Sequence, residues 1–170
     1  INEVLGANYT YSNEDFIEAS KQLMIRFPSI EKVFDKIRTS VNSSWHKIRA
    51  RMWNGKDFRE TVDLDITHIV DRIGTGDAFA AGLIYGLQQF DDFKAMEFAS
   101  AACALKHTYE GDVNFATVKE VGLFFNYCYT RISFCIIWLH QCAIFKTSKY
   151  NRPNAYYHTL YIRSICIKLY

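Results

Sequence analysis

Residues 122–170 contain no aspartate or glutamate, although ordinary globular domains carry about one acid in every nine residues. All 18 acids lie in residues 1–121, together with 14 of the 20 lysines and arginines, so the net charge of +2 hides an acidic body and a cationic end. The end also holds four of the five cysteines and seven of the eleven tyrosines, and it lacks caps, turn signals and a sustained period. A compositional boundary therefore falls between Val121 and Gly122. Long hydrophobic runs are missing too. The best one, Ile132 to Phe145, is 14 residues and includes His140 and Gln141, whereas a spanning helix needs about 20 apolar residues. A membrane span is not expected.

Other shortages narrow the class further. Ile1 to Asp15 is polar and acidic and does not read as a signal peptide. Cysteines without a secretory signal point to reduced thiols and a cytoplasmic protein. Cys128, Cys135 and Cys142 recur every seven residues, which is not a zinc-ligand spacing. His68, His107 and His140 stand at no ligand spacing with cysteines or acids and read as structural or incidental. Lys47, Arg49 and Arg51 alternate along one stretch, but the surrounding body is net acidic. They read as a solvated strand face, and no nucleic-acid partner is expected.

What is present reads as an α/β layered domain. "SNEDFIEASKQLMIRF" offers Ser12 or Asn13 as N-cap, acids in the first turn, and Phe16, Ala19, Leu23 and Phe27 on one face before Pro28. "IEKVFDKIRTSV" is a candidate strand interrupted by Asp35 and Lys36. In "WHKIRARMWNGKDFRETVDL", Ile48, Ala50 and Met52 alternate with cations, and Asn54–Gly55 is a hairpin signal with a return strand from about Phe58 to Leu64. A helix is expected from Gly76 or Asp77 to about Phe90, with Ala78, Gly82 and Gly86 forming a bare stripe for close approach. A second helix, from about Asp92 to His107, carries an alanine-rich run at 99–104 that implies tight burial.

The chemistry concentrates in "DRIGTGDAFAAGLIYGL", residues 71–87. Glycines at a strand-to-helix turn aim backbone N–H groups into one concavity and add to the positive end of the helix. That combination makes an anion site, most naturally for phosphate. An aspartate beside a phosphate would repel it, unless it takes a proton from the hydroxyl attacking that phosphate. The bland alternative is that Asp77 only caps a helix and the glycines only serve a turn. Gly76-Asp77-Ala78 is not the Gly-Lys-Ser/Thr of a P-loop, and Phe79 blocks a dinucleotide fingerprint.

The same string resembles the second signature of the ribokinase-like (PfkB) carbohydrate kinases. The stretches "RFPSIEKV", "WNGKDF", "DITHIVDRIGTGDAFAAGLIYGL" and "ALKHTYEGDVN" are similar, within that family, to the 2-keto-3-deoxygluconate kinase branch. The resemblance covers residues 1–121 and implies a partial ribokinase-like three-layer sandwich, the C-terminal nucleotide-binding half, followed by the atypical tail 122–170. It implies Asp77 as general base, and N–H groups of Gly74, Thr75 and Gly76 as the anion hole. Asp71 resembles the residue that helps hold a monovalent cation behind the loop. Arg38 falls beside the nucleotide phosphates, and Gly111 and Asn114 border the adenine pocket. The implied ligands are ATP with Mg2+, K+ as a further candidate, and a small sugar-acid substrate; a homo-oligomer is left open. Asp35 and Lys36 depart from the pattern, standing where relatives place an apolar residue and a small polar one. The family's sugar-recognition motifs find no counterpart in the sequence, so a catalytically inactive nucleotide-binding or structural remnant is the alternative. The tail fits a read-through or frame-shifted extension, a disordered segment, or an extension that binds a partner.

Overall fold

The computed structural model describes residues 1–67, 69–130 and 165–168. The chain begins with a single helical turn, α1 (Asn2–Leu5), followed by α2 (Asn13–Arg26), β1 (Lys32–Asn42), β2 (Trp45–Trp53), β3 (Phe58–Glu60) and β4 (Leu64–Thr67). Helices α3 (Thr75–Gln89), α4 (Asp92–Lys106) and α5 (Val118–Thr130) come next, and β5 (Ile165–Lys168) ends the described chain. The strands form one sheet in the order β3-β2-β1-β5, with β4 also pairing to β2. Apart from the parallel β1–β5 pair, every pairing is antiparallel. The compositional boundary at 121/122 lies inside α5. Of the cysteines and histidines singled out in the sequence, Cys135, Cys142, His140 and His68 lie outside the described residues.

Local chemistry sets the element ends. Ser12 caps α2, its side chain accepting from the Asp15 N–H at 3.1 Å. Asp91 caps α4 in the same way through the Lys94 N–H at 3.0 Å. The β1–β2 turn is Ser43–Ser44, with no glycine; the Asn42 Oδ1 accepts from the Ser44 N–H at 2.9 Å and supplies the turn instead. The Asn54–Gly55 signal does mark a hairpin, but its loop is four residues long, because Trp53 pairs with Phe58. There Asn54 Oδ1 accepts from the N–H groups of Lys56 and Asp57, and Gly55 turns at a φ of 87°.

The expected return strand from Phe58 to Leu64 is broken in two. The Thr61 N–H donates to Ala50 O at 2.8 Å, while the Thr61 hydroxyl accepts the Ala50 N–H at 3.0 Å. A side-chain oxygen thus takes a carbonyl's place in the ladder, and β3 and β4 pair with the two ends of β2 separately.

Both faces of the sheet are covered. Phe34, Ile48, Ala50 and Met52 pack with α3, α4 and α5 in the main core, and Val33 and Trp53 pack with Phe16 and Leu23 of α2. Two-sided burial corrects the reading of Arg51 as solvated, since it is 1% exposed. It also explains Asp35 and Lys36: adjacent strand residues point to opposite faces, so they do not pair with each other. Asp35 meets Arg51, its register partner, with Oδ2 accepting from Arg51 Nε at 3.0 Å and Nη2 at 2.8 Å. Lys36 faces α4, where its Nζ lies 3.7 Å from Cys103 Sγ.

The α3–α4 packing bears out the glycine stripe. A Cβ on Gly82 would stand 2.9 Å from Ala102 Cβ and 3.0 Å from Ala99 Cα, and one on Gly86 would stand 2.9 Å from Ala95 Cα. Residues 98–107 of α4 and its C-cap are all buried, as expected for a helix enclosed on every side.

Candidate functional site

The start of α3 and the loop after α4 are laced together. Gly74, the N-cap of α3, takes a left-handed φ of 73°, and a Cβ there would fall 1.9 Å from Asp112 O. Only glycine permits that approach. The Asp71 carboxylate holds the same two loops: Oδ1 accepts from the N–H groups of Arg72 at 2.6 Å and Ile73 at 3.0 Å, and Oδ2 from Gly111 at 2.8 Å. The Ile73 and Gly111 N–H groups, with a smaller contribution from the Lys106 charge, hold Asp71 below the ordinary carboxylate value. Gly111 makes its turn at a φ of 82°. Asn114 pins the far end of this loop, its Oδ1 accepting from Ala116 N–H at 3.0 Å and its Nδ2 reaching Ala102 O at 3.5 Å.

Between these loops lies an open cleft of about 510 Å³. Gly74, Asp77 and Asn114 line it, so the structure brings together the expected base, one residue of the expected anion hole and one of the expected adenine border. Asp71, Thr75, Gly76 and Gly111 stand behind or beside it without lining it, and Arg38 is exposed on β1, also outside the lining. Asp77 is the third residue of α3, exposed, with no hydrogen bond from its side chain among the described residues. It therefore does not serve as a side-chain cap. At the helix start the Thr75 N–H points to Arg72 O at 3.4 Å and Thr75 Oγ1 donates to the same oxygen at 3.0 Å. The Gly76 and Asp77 N–H groups find no acceptor among the described residues, which leaves two donors at the positive end of α3.

Sequence reasoning missed the apolar wall. Ala81, Tyr85, Phe98, Val113, Ala116 and Val118 also line the cleft. Part of this was legible, because Asp77, Ala81 and Tyr85 recur at steps of four and share one face of α3. Phe98 and Val118 come from α4 and α5, and only tertiary packing delivers them. A donor-bearing end and an apolar wall suit a ligand with an anionic part and a flat, weakly polar part. Among the described residues no group of three or more His, Cys, Asp or Glu is placed to hold a metal ion. Asp71 already accepts three N–H groups, so its carboxylate is engaged as a loop tie.

No family model matches the chain, and no curated protein does. Solved structures do. The 2-dehydro-3-deoxygluconokinase of Thermotoga maritima is similar with a TM-score of 0.66 and 30% identity, over 74% of this chain and 39% of that one. The structural neighbours of this chain are 2-dehydro-3-deoxygluconokinase and PfkB carbohydrate kinases. A PfkB family carbohydrate kinase of Listeria grayi gives a TM-score of 0.61 at 28% identity, over 69% of this chain and 36% of that one. An Enterococcus faecalis protein described as a candidate 2-keto-3-deoxygluconate kinase gives 0.63 at 25%, over 80% and 39%. The chain thus spans about two fifths of the length of the PfkB proteins it resembles. Among the described residues, no helix is long and apolar enough to cross a membrane.

Proposed function

We propose that this chain is the nucleotide-binding C-terminal part of a cytoplasmic, ribokinase-like sugar kinase that transfers phosphate from ATP to 2-keto-3-deoxygluconate or a related keto sugar acid. The observation that carries this reading is the cleft itself, which joins Gly74 and Asp77 at the start of α3 to Asn114 and an apolar wall. The nucleotide's base would lie along Tyr85, Phe98 and Val113, and its phosphates at the helix start. Arg38 would approach those phosphates from the end of the sheet. Mg2+ would enter with the nucleotide, screening its phosphates.

Asp77 has the position and the free carboxylate for general-base chemistry. It would accept the proton of the sugar hydroxyl as that oxygen bonds to the γ-phosphorus. The bond from phosphorus to the β–γ bridging oxygen breaks in the same displacement, and ADP departs with the electron pair. Charge developing on the transferring phosphoryl oxygens would be met by the N–H groups of the 74–76 turn. A second reading is a nucleotide-binding module without phosphoryl transfer, which the apolar wall and the donors at the start of α3 would serve equally well.

Calorimetry with MgATP on the chain and on Asp77→Asn tests both. Saturable binding by both proteins, with transfer to keto sugar acids only by the unsubstituted chain, is the expected result. Binding without any transfer selects the second reading. No heat from either protein, with an intact circular dichroism spectrum, removes nucleotide binding altogether.

A further inference from the structure

Strand β1 is 11 residues long, and its two halves differ. Val33, Phe34, Asp35 and Lys36 are buried, whereas residues 38–42 are exposed. Burial on both faces is the mark of an inner strand, which has a neighbour on each edge. β2 supplies one neighbour. On the other edge β5 runs parallel to β1, with Lys32 opposite Ile165, Val33 opposite Cys166, Phe34 opposite Ile167 and Asp35 opposite Lys168. Beyond Asp35, no strand among the described residues pairs with that edge. The pairing therefore falls on the buried stretch of β1 and spares the solvated one.

An unpaired strand edge offers a row of free N–H and C=O groups to any other strand, a second copy of the chain included. Proteins blunt such edges with very short strands and with lysine. The opposite border of the sheet follows that rule, since β2 is covered there by β3 and β4, of three and four residues. β5 follows it too: it is four residues, Ile165-Cys166-Ile167-Lys168, apolar and ended by a lysine. It comes from the part of the chain that has no acid, and residues 131–164 tether it to α5. A tether makes pairing intramolecular, so a strand too short to hold on alone can stay in place. We propose that the β1 edge is a strand-accepting surface and that β5 is its built-in occupant, closing the sheet against a second copy of the chain. The edge fits a short apolar strand without acids, tethered or free. This inference is independent of the nucleotide reading of the cleft.

The test compares the full chain with its double variant Cys166→Pro, Ile167→Pro under reducing conditions. Successive N–H groups of a strand point to alternate edges, so one proline removes a donor from the β1 side whichever way β5 faces. Amide hydrogen exchange is read at Val33–Lys36, and sedimentation velocity is run from about 1 to about 100 μM. The unsubstituted chain should keep one oligomeric state across that range, with the β1 amides protected. When dilute, the double variant should exchange the amides of the vacated edge about tenfold faster, and it should form larger species as its concentration rises. A free peptide of residues 163–169 at about 1 mM should return it to the unsubstituted chain's state, whereas the same peptide with both prolines should not. Unchanged exchange in the variant would overturn the proposal. So would fast exchange without association, or association that the peptide does not reverse. Should the variant fail to fold, the unsubstituted chain decides: Ile165–Lys168 must be protected together with Val33–Asp35, and unprotected amides at 165–168 would remove β5 from the edge.

Discussion

Toward α2, strands β1 and β2 present Val33, Asp35, Arg51 and Trp53; toward α4 they present Phe34, Lys36, Ile48, Ala50 and Met52. Both sets are buried, yet they are held by different forces. The α2 face is organised by one guanidinium. Arg51 Nη1 donates to Tyr11 O and Ser12 O, each at 3.0 Å, and to Asn13 Oδ1 at 3.1 Å, and its Cζ lies 4.4 Å over the Phe16 ring. With Asp35 on its other edge, Arg51 ties the start of α2 to the sheet. The α4 face is organised by close approach of small residues, and its polar groups are neutral or cationic with no acid among those that act on His107. Directional polar bonds can therefore dock one helix, where a second helix relies on shape.

Breaking the α2 face should cost most. Arg51→Met keeps a long apolar stem but strands the Asp35 carboxylate, which is 2% exposed. Leaving one partner of a buried ion pair uncompensated costs roughly 3–5 kcal/mol, and urea melts should show a loss of that size. The double substitution Asp35→Leu with Arg51→Met should recover much of it, because no charge is then left buried. A double variant as unstable as the single one would show that Arg51 acts through the Tyr11 and Ser12 carbonyls instead of through Asp35.

The α4 face should be sharpened by acid. His107 Nδ1 lies 2.8 Å from Cys103 O, and because a carbonyl only accepts, Nδ1 carries the proton and the buried Nε2 is left without a partner. Burial lowers the His107 pKa from an ordinary 6.5 to about 4, and the charges of Lys36, His46 and Arg38 push the same way. His46 is also lowered, by burial and then by Arg72 and Arg38. For a depressed histidine the unfolded chain takes the proton first, so stability is full above the ordinary value and is lost as pH falls from about 6.5 to about 4. That gap corresponds to roughly 3 kcal/mol. Stability, read by urea denaturation from pH 7 down to pH 4.5, should fall more steeply for the unsubstituted chain than for His107→Gln. Equal slopes would mean that carboxylates alone set the acid response.

The two faces were unequally legible. The helices of the α4 face announce themselves through Gly82 and Gly86 and the alanine run at 99–104, since small residues at steps of four have few uses other than close packing. Gly74 and Asp77 could be placed at a strand-to-helix turn for a similar reason. The α2 face was read only in part: the helix, its Ser12 cap and its buried Phe16, Ala19 and Leu23 were legible, but not what they dock on. Alternating Lys47, Arg49 and Arg51 look alike in sequence, and only the position of α2 separates the last, which is buried, from the first two, which pair at the surface with Asp65, Glu60 and Asp63. The break at Thr61 depends on a hydroxyl reaching Ala50, and Phe98 enters the cleft from a helix that no local pattern connects to Gly74.

Two helical glycines separate shape from propensity on the α4 side. Gly82 of α3 has backbone and side-chain atoms of α4 within 3.0 Å of where a Cβ would stand, whereas Gly122 of α5 has nothing within 4 Å. Added volume in a tight helix contact costs about 1–3 kcal/mol through strain, so Gly82→Val should lower stability by that amount. Pairing it with Ala102→Gly should return only part of the loss, because the Ala99 backbone remains in the way. At Gly122 the same reasoning reverses sign. Its backbone is already helical, and Gly122→Ala should raise stability by about 0.4–1 kcal/mol by restricting the unfolded chain. If both substitutions stabilised alike, helix propensity and not the fit of α3 on α4 would govern this face, and the contrast with the Arg51 side would lose its physical basis.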